Sequence, residues 1–409
     1  MNAFAPFRSL KNSAFARLYL SQTASLLGDA LTWVGLALLS FELAGSNSSV
    51  ILGTALTLRV TAFVVFSPLA GALADRLDRK VIMVVSDLGR VIVIGLMPFV
   101  TQAWQVYVLM FVLNSLTAFF TPTYQATIPF VTGKEDSTQA IALSSATNEI
   151  LGVLGPGIAG AFAGFFGGRS LFFVDAITFL ISAALIVTLP RSLNVRISSS
   201  KSGSAITWRD VLAGTTRLWR DSPIRYALLL ELVASVAGAL VLVNTIAVVK
   251  GSFKLSNLEY GWVMAVFGVG ATAAALAVGA LEKRISKVRF IFFGALVTTF
   301  AVIPANLVGF VPLLVLWVLA GAGQSWVNLP TQTLIADRTP TEWQGRVYGA
   351  HFAWSHLWYA LAYPLAGWLG SSFANRDFLF GGLVGLGLLV IVQVGLSPKK
   401  RDSEPFADL

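Results

Sequence analysis

Twelve long apolar runs, separated by short polar connections, constrain this chain more than any other feature. Each run approaches or exceeds the length, about 20 residues, that an α-helix needs to cross a hydrocarbon layer about 30 Å thick. The runs lie near residues 17–43, 49–73, 81–100, 104–130, 138–166, 170–190, 223–248, 258–281, 290–310, 312–335, 343–370 and 378–396. The sequence therefore predicts an all-α membrane protein with twelve transmembrane helices and no separate soluble domain.

The composition points the same way. Charged residues make up 12% of the chain, and the mean hydropathy is +0.75. A soluble domain usually has about 25% charged residues. The absence of cysteine excludes disulfides, a thiolate nucleophile and a cysteine-ligated metal site. Two histidines leave little for a histidine-rich site, and no catalytic set stands out. We expect no enzymatic activity, no cofactor and no bound metal.

The positive charges are distributed unevenly between the loops. If the N-terminus is cytoplasmic, 23 of the 29 Lys and Arg residues fall on the inside, four fall outside, and Arg59 and Arg90 lie within spans. Basic residues stay on the cytoplasmic side of membrane proteins. This pattern predicts cytoplasmic N- and C-termini in a multi-pass protein of the inner (plasma) membrane. The net charge of +9 is then explained by the basic residues that set the membrane orientation and attract anionic lipid. We therefore expect no nucleic-acid partner.

The two halves of the chain repeat each other at an offset of 208 residues. Four landmarks coincide at this offset: Gly71 to Leu73 with Gly279 to Leu281, Pro122 with Pro330, Pro156 with Pro364, and Arg17 with Arg225. Several matches at one offset indicate a duplicated six-helix unit. Because six is even, the two units have the same orientation and are related by an axis along the membrane normal.

The duplication and the apolar runs predict four consecutive segments. They are an N-terminal six-helix bundle over 1–190, a cytoplasmic linker over 191–222, a C-terminal six-helix bundle over 223–398 and a cytoplasmic tail over 399–409. The first part of the linker is rich in serine and reads as flexible. Its later part, Trp208 to Arg220, alternates Trp and Leu with Arg. That pattern predicts a short helix on the inner membrane surface, with a plain loop as the alternative.

Three stretches carry a resemblance to a known family. Residues 71–80, Gly-Ala-Leu-Ala-Asp-Arg-Leu-Asp-Arg-Lys, resemble the loop signature between helices 2 and 3 of the major facilitator superfamily. Residues 152–160, which contain Gly-Pro, resemble the helix-5 signature of its proton-coupled antiporters. Residues 25–29 and 173–176 look like the subgroup that includes the enterobactin exporter and the macrolide efflux proteins. The resemblance covers essentially the whole chain and implies a transporter that works by alternating access, but it does not transfer a substrate.

The first of these stretches implies a conformational latch. In the family, this loop stabilises the outward-facing state. Asp87 and Arg90, three residues apart in the third span, can extend its charge network. The alternative is that the basic residues only anchor the topology. The predicted latch comprises Gly71, Asp75, Arg76, Arg79, Asp87 and Arg90.

The second stretch predicts a smooth, kinked seam between the halves. Gly152, Gly155 and Gly160 allow two helix backbones to approach closely. Pro156 permits a bend between them. A static close-packed interface is the alternative to a moving seam.

Charged side chains within the spans are the strongest functional signal, because each costs about 2.5–3.5 kcal/mol at a helix centre on insertion scales. Asp29 and Arg59 lie at similar depth and can pair, with substrate or a proton competing for Asp29. Glu149 is expected to be buried on the seam without a cation, where it can load a proton for coupling. Glu231 is expected to line the cavity and attract a cationic substrate. A structural acid is the alternative for each. Asp175 is expected to be structural.

Polar and aromatic side chains predict the wall of a substrate cavity. Its predicted residues are Gln22, Ser25, Asn114, Thr117, Thr121, Gln125, Gln324, Asn328, Trp354 and Trp358. Interhelical hydrogen bonding is the alternative for the neutral side chains. His351 and His356 are five apart and cannot form an i,i+4 metal pair. Many proton-coupled relatives have an Arg in helix 4, whereas residues 104–130 contain no Asp, Glu, Lys or Arg, so Arg59 or Arg90 can take that place.

These features predict an exporter of a small organic, drug-like or siderophore-like solute, driven by proton antiport. The alternatives are a proton-independent or uptake facilitator, a divalent metal-cation exporter of the same fold, and a non-transporting receptor or regulator. The expected partners are a small-molecule substrate, protons and membrane lipid. The protein is expected to be a monomer.

Overall fold

The computed structural model describes residues 9–74, 77–190, 208–281, 285–340 and 343–398, and all regular elements in these ranges are helices. The α-helices are α1 (Ser13–Ala44), α2 (Ser48–Ala74), α3 (Arg79–Leu96), α4 (Ala103–Phe166), α5 (Ser170–Val187), α6 (Trp208–Arg220), α7 (Ser222–Ile246), α8 (Asn257–Leu281), α9 (Lys287–Val302), α10 (Phe310–Arg338), α11 (Gln344–Ser372) and α12 (Asp377–Leu396). The predicted all-α fold is confirmed.

One of these helices contains two of the predicted spans. Gly133 in α4 has φ +74°, a left-handed conformation that ends the first segment and begins the second. Among the described residues, nine stretches are long and apolar enough to cross a membrane. The first, Ser13–Ser67, covers all of α1 and most of α2. The remaining long helices, α9 and α11, are shorter or more polar. Together with the two segments of α4, the long helices reproduce the twelve predicted spans.

The predicted ninth span, 290–310, ends too late. In the structure α9 ends at Val302, and turns follow through Ala305 and Leu307. Pro304 explains the early end, because proline lacks the N–H that a continuing helix needs and its ring crowds the preceding turn. Elsewhere the chain tolerates proline within helices, at Pro122 and Pro156 of α4, Pro330 of α10 and Pro364 of α11.

The described residues fall into two compact units. The first lies within Met1–Leu39 and Thr61–Ala205, and the second within Ser40–Val60 and Ile206–Leu409. The last turns of α1 and the first turns of α2 therefore belong to the second unit. The predicted domain boundaries at 190 and 223 remain a prediction.

In the first unit, basic side chains close the end of α5. Arg17 Nη1 donates to the Thr188 carbonyl oxygen at 2.7 Å, and Lys80 Nζ donates to the Leu189 carbonyl oxygen at 2.7 Å. The last carbonyls of a helix lack partners within it, and the helix dipole favours cations there. Two of the charges counted as topology anchors therefore also hold α1 and α3 against the end of α5.

In the second unit, α8 and α10 pack backbone to backbone. A Cβ at Gly270 would lie 2.0 Å from the Val318 carbonyl oxygen, and one at Gly321 would lie 1.9 Å from the Phe267 carbonyl oxygen. Small residues are what permits such close approach between membrane helices. This contact fixes the position of α10, which carries two of the predicted cavity residues.

Gly270→Ala is expected to destabilise the protein, whereas Gly279→Ala on the same helix is not. At Gly270 the added methyl meets main-chain atoms that cannot move aside, and overpacking costs about 1–3 kcal/mol. At Gly279 a Cβ would meet nothing within 4 Å among the described residues. The measurement is the fraction of each detergent-solubilised variant that stays monodisperse after heating. Equal thermal stability of the two variants would contradict the close α8–α10 contact.

Helix α6 lies in the linker and packs on α11. Its Gly214 abuts the main chain of α11, because a Cβ there would lie 2.3 Å from the Arg346 carbonyl oxygen. At its end, Asp221 accepts a hydrogen bond from the Ile224 N–H of α7 and pairs with Arg338 Nε at 2.8 Å. These contacts join α6, α7, α10 and α11. The location of α6 on the inner membrane surface remains a prediction.

Candidate functional site

A buried ion pair forms the centre of the first unit. Arg90 Nη2 of α3 bonds to the Asp87 carboxylate, and the two side chains are 1% and 0% exposed. Arg90 Nη1 also donates to Ser25 Oγ of α1 at 3.3 Å, and Ser182 Oγ of α5 donates to Asp87 Oδ2 at 2.7 Å. The pair therefore connects three helices through polar contacts.

Aromatic rings enclose this guanidinium. Arg90 Cζ lies 4.2 Å from the ring centroid of Phe120 and 4.2 Å from that of Phe179. Cation–π contacts of this kind strengthen when water is excluded. The rings pack on the cation and shield it from solvent.

A second buried acid, Asp175 of α5, lies close to the pair. Its Oδ2 accepts from Thr32 Oγ1 at 2.5 Å, and its Oδ1 lies 3.0 Å from Thr178 Oγ1. The side chain is fully buried, and it interacts electrostatically with Asp29 and Arg90. Asp29 also interacts electrostatically with Asp87. Asp29 thus interacts with both Asp87 and Asp175 inside the first unit, and Arg90 bonds to Asp87 and interacts with Asp175.

Glycine at position 28 makes this assembly possible. A Cβ there would lie 2.0 Å from both Asp175 Oδ1 and Thr178 Oγ1. The backbone of α1 therefore lies directly against the carboxyl group of α5. Residues 25–29 and 173–176, whose sequences pointed to the same transporter subgroup, meet at this contact.

A second acid and its partner form the centre of the second unit. His351 Nε2 of α11 lies 2.9 Å and 3.2 Å from the two carboxylate oxygens of Glu231 of α7. The two residues are 7% and 5% exposed. The pair is thus shielded and bridges two helices.

Polar side chains of α10 and α11 lie next to the Glu231–His351 pair. Tyr359 interacts electrostatically with Glu231, and its hydroxyl accepts from Gln324 Nε2 at 3.3 Å. Gln324 Nε2 also lies 3.4 Å from Asn328 Oδ1. Gly238 of α7 leaves room for this contact, since a Cβ there would lie 3.0 Å from Gln324 Oε1 and 3.2 Å from Tyr359 Oη. Glu231, Gln324 and Asn328, predicted separately, belong to one polar cluster.

Two tryptophans of α11, Trp354 and Trp358, contact each other, and Trp219 of α6 contacts the first of them. The ring centroids of Trp354 and Trp358 are 5.0 Å apart, and those of Trp354 and Trp219 are also 5.0 Å apart. Trp354 Nε1 donates to Thr215 Oγ1 of α6 at 3.4 Å, whereas the buried Trp358 Nε1 has no partner within the described part of the chain. The aromatic face runs from the linker helix toward the interior of the second unit.

Two of the predicted ion-site residues lie elsewhere. Glu149 was expected to be buried, but it is exposed, because α4 presents this face outside the first unit. Arg59, on the part of α2 that belongs to the second unit, interacts electrostatically with His356 and Tyr363 of α11. The pairing of Asp29 with Arg59 remains a prediction.

The predicted latch is described only in part. Asp75 and Arg76 lie outside the described residues, and Gly71 is helical at the end of α2. Arg79 Nη1 donates to the Ala126 carbonyl oxygen of α4 at 3.0 Å. Asp87 and Arg90 form the buried pair within the first unit. The role of these residues in a conformational cycle remains a prediction.

The glycines of the predicted seam have different surroundings. A Cβ at Gly155 would lie 2.4 Å from Ala30 Cβ of α1, so this glycine serves packing inside the first unit. A Cβ at Gly152 would meet no described atom within 4 Å, Pro156 is half-buried and Gly160 is buried. The proposed moving seam remains untested.

Several predicted cavity residues of the first unit bond within their own helix or to the ion pair. Asn114 Nδ2 donates to the Met110 carbonyl at 2.7 Å and Thr117 Oγ1 to the Leu113 carbonyl at 2.9 Å. Ser25 contacts Arg90. Gln22 is half-buried, and its Oε1 has no hydrogen-bond partner among the described residues. Thr121 is half-buried and Gln125 is exposed.

Sequence reasoning named Asp175 only as a structural acid and did not identify Thr178 and Ser182 beside it. Asp175, Thr178 and Ser182 are spaced i, i+3, i+7, a buried polar stripe in a helix that is otherwise apolar, and this spacing was the available signal. His351 lies 120 positions from Glu231, so no local pattern indicated their contact. In the part of the chain that is described, no group of three or more His, Cys, Asp or Glu side chains is placed to hold a metal ion.

The amino-acid sequence is similar to those of known membrane transporters. A family model described as Major Facilitator Superfamily matches residues 18–249 and 227–408. The chain is 28% identical over 400 residues to the uncharacterised MFS-type transporter YfiS of Bacillus subtilis (strain 168), covering 94% of each chain. It is also 28% identical over 287 residues to the multidrug resistance protein MdtG of Salmonella paratyphi C (strain RKS4594), covering 69% of each.

Solved structures show the same fold at lower identity. The nucleoside transporter NupG aligns with a TM-score of 0.75 at 13% identity, over 93% of this chain and all of its own. A POT family transporter in complex with 5-aminolevulinic acid aligns with a TM-score of 0.74 at 10% identity, over 96% of this chain and 97% of its own. These likenesses concern the fold alone.

Proposed function

Because the chain belongs to the major facilitator superfamily, we propose that it exports a small organic solute across the inner membrane by proton antiport with alternating access. It is a multi-pass membrane transporter and not an enzyme. What we propose beyond family membership is outward transport, the proton as the coupling ion, the inner membrane as the location and a small organic solute as the cargo.

The buried Glu231–His351 pair carries this proposal. With the imidazole neutral, the pair of carboxylate and imidazole has a net charge of −1. When the imidazole binds a second proton, the pair becomes neutral. A shielded site that changes between these two states can bind a proton in one step of a cycle and release it in another.

The groups around the pair suit an organic solute. Tyr359, Gln324 and Asn328 offer neutral hydrogen-bonding groups, and Trp358 offers an aromatic face and an indole N–H that no described residue accepts. Small-molecule sites combine apolar and aromatic walls with a few placed polar groups. For the first unit, considered by itself, we propose that Gln22, Thr121 and Gln125 also contact the solute. In its anionic state, Glu231 also attracts a basic group of the solute.

The relatives support a drug-like cargo. Proteins named multidrug resistance protein MdtG align with two thirds of this chain. Export of a siderophore-like solute belongs to the same proposal. Asp29 and Arg59 are further candidates for proton coupling. We propose that the latch and the seam take part in the conformational cycle. We also propose that both termini are cytoplasmic and that the protein is a monomer.

Reconstitution with a pH-sensitive dye inside the liposomes tests the proposal. The substrates to add are tetraphenylphosphonium, a macrolide, a catechol siderophore and a divalent metal ion, each in turn. We expect one of the three organic solutes to evoke proton movement in vesicles with the protein and not in empty vesicles. Tracer uptake of an organic solute without proton movement would favour a facilitator, and proton movement with the metal alone would favour a metal-cation exporter.

A further inference from the structure

The carboxyl group of Asp175 has a hydrogen-bonding environment that distinguishes it from Asp87. Asp87 accepts bonds from a guanidinium and from the Ser182 hydroxyl, which is the arrangement of an ionised carboxylate. Within the described part of the chain, the carboxyl oxygens of Asp175 are hydrogen-bonded only to the hydroxyls of Thr32 and Thr178. Both acids are fully buried, so the difference lies in their partners.

The Thr178 hydroxyl is in contact with two oxygens of Asp175. Its Oγ1 lies 2.8 Å from the main-chain carbonyl oxygen of Asp175 and 3.0 Å from Oδ1. A hydroxyl has one hydrogen to donate and two lone pairs to accept with. Threonine in a helix commonly gives that hydrogen to the carbonyl of the preceding turn. Both contacts then become full hydrogen bonds when Asp175 carries a proton on Oδ1 and donates it to Thr178 Oγ1.

The surrounding charges favour the same state. The charged groups that face Asp175 are Asp29 from α1 and Arg90 from α3, and Arg90 is already bonded to Asp87. One guanidinium balances one carboxylate, and an additional buried negative charge at membrane depth is costly. The Nε of Arg90 is buried and has no hydrogen-bond partner among the described residues, so the cation retains capacity to stabilise Asp175 when it ionises.

Gly28 seals this carboxyl from one side. Because α1 lies directly against Oδ1 and Thr178 Oγ1, water has no room between the two helices at this point. The stripe of Asp175, Thr178 and Ser182 then extends about 10 Å along α5 toward Asp87. It forms a polar column inside the first unit, separate from the Glu231–His351 pair of the second.

We propose that Asp175 is a proton-binding residue of the transport cycle, protonated when bonded to Thr178 and ionised when Arg90 turns toward it. The proposal rests on the proposed proton antiport, and it adds a second proton site in the first unit. The ligand of this site is a proton and not a metal ion, because one carboxyl group between two hydroxyls offers too few ligands for a metal.

Infrared difference spectroscopy of the full-length protein in lipid vesicles tests the proton directly. A protonated buried carboxyl gives a separate C=O stretching band. We expect Asp175→Asn to remove one such band from the spectrum at neutral pH, and Thr178→Val to shift it by removing the acceptor. Asp337→Asn, which changes an exposed acid, is the matched control and should leave the band unchanged.

Three results would overturn the proposal. The first is that the C=O stretching band persists in Asp175→Asn. The second is that the band does not shift in Thr178→Val. The third is that, at fixed pH, sodium chloride removes the band whereas choline chloride does not. The last result would identify a sodium site instead of a proton site. Thr178→Val keeps the test valid if Asp175→Asn does not fold.

Dye-detected proton flux separates this inference from the proposed function. The band can depend on Asp175 while the wild-type protein shows no solute-evoked flux. In that case the antiport proposal fails. Asp175 then binds a proton but takes no part in a transport cycle, so the inference as stated is overturned. If flux is present and the band is independent of Asp175, the inference alone fails. If both hold, we expect Asp175→Asn to lower the flux by at least about tenfold.

Discussion

Glu231→Gln is expected to abolish solute-evoked proton flux while the protein stays folded. Glutamine has the same shape, and its side-chain carbonyl can still accept a hydrogen bond from His351 Nε2. The amide cannot carry the negative charge that stabilises an imidazolium, so the pair loses its second proton state. We expect flux into dye-loaded vesicles to fall to the level of empty vesicles, a loss of about tenfold or more.

His351→Gln and Asp337→Asn complete this test. His351→Gln keeps a donor to Glu231 but removes the imidazole that can hold a second proton, so we expect the solute-evoked flux to fall as it does in Glu231→Gln. Asp337→Asn removes an acid that is 61% exposed and paired with Lys287, and it should leave flux unchanged. Normal flux in Glu231→Gln would contradict the assigned role of the pair.

Arg90→Met is expected to destabilise the protein severely. The substitution leaves Asp87 fully buried without its counter-charge, and breaking a buried pair in this way costs about 3–5 kcal/mol. It also removes the two cation–π contacts with Phe120 and Phe179. The measurement is the temperature at which half of the detergent-solubilised protein is no longer monodisperse.

The double variant Asp87→Asn with Arg90→Met tests the cause of that loss. Removing both charges eliminates the unpaired carboxylate, and neutral replacements of buried pairs are often tolerated. We expect the double variant to regain more than half of the lost thermal stability. A double variant that is no more stable than Arg90→Met would show that the ion pair is not the source of the effect.

Much of the architecture could be predicted from sequence because the bilayer dictates it. The length and apolar character of each run are local features, and they indicated the twelve spans. The prolines that repeat at an offset of 208 residues indicated the duplication. Local patterns failed at Pro304, where the apolar run continues but the helix ends. The linker helix was recognisable from the alternation of Trp, Leu and Arg over 208–220.

The candidate site was harder to predict, because its contacts join distant parts of the chain. Glu231 was identified as an acid within a span, but its partner His351 is 120 residues away. Asp175 was expected to be structural, since nothing near it in sequence shows that Thr32 and Gly28 pack against it. Glu149 was expected to be buried because its helix face carries glycines, yet small residues indicate close packing only where a partner helix is present.

The most direct test of the central claim is proton release on substrate binding. The purified protein is placed in weakly buffered detergent solution with a pH dye, and the organic solute that evokes flux is added. We predict release of about one proton per protein molecule in the wild type and none in Glu231→Gln, because the solute displaces the proton held by the Glu231–His351 pair. Saturable binding of the solute to the wild type without any proton release would contradict the account.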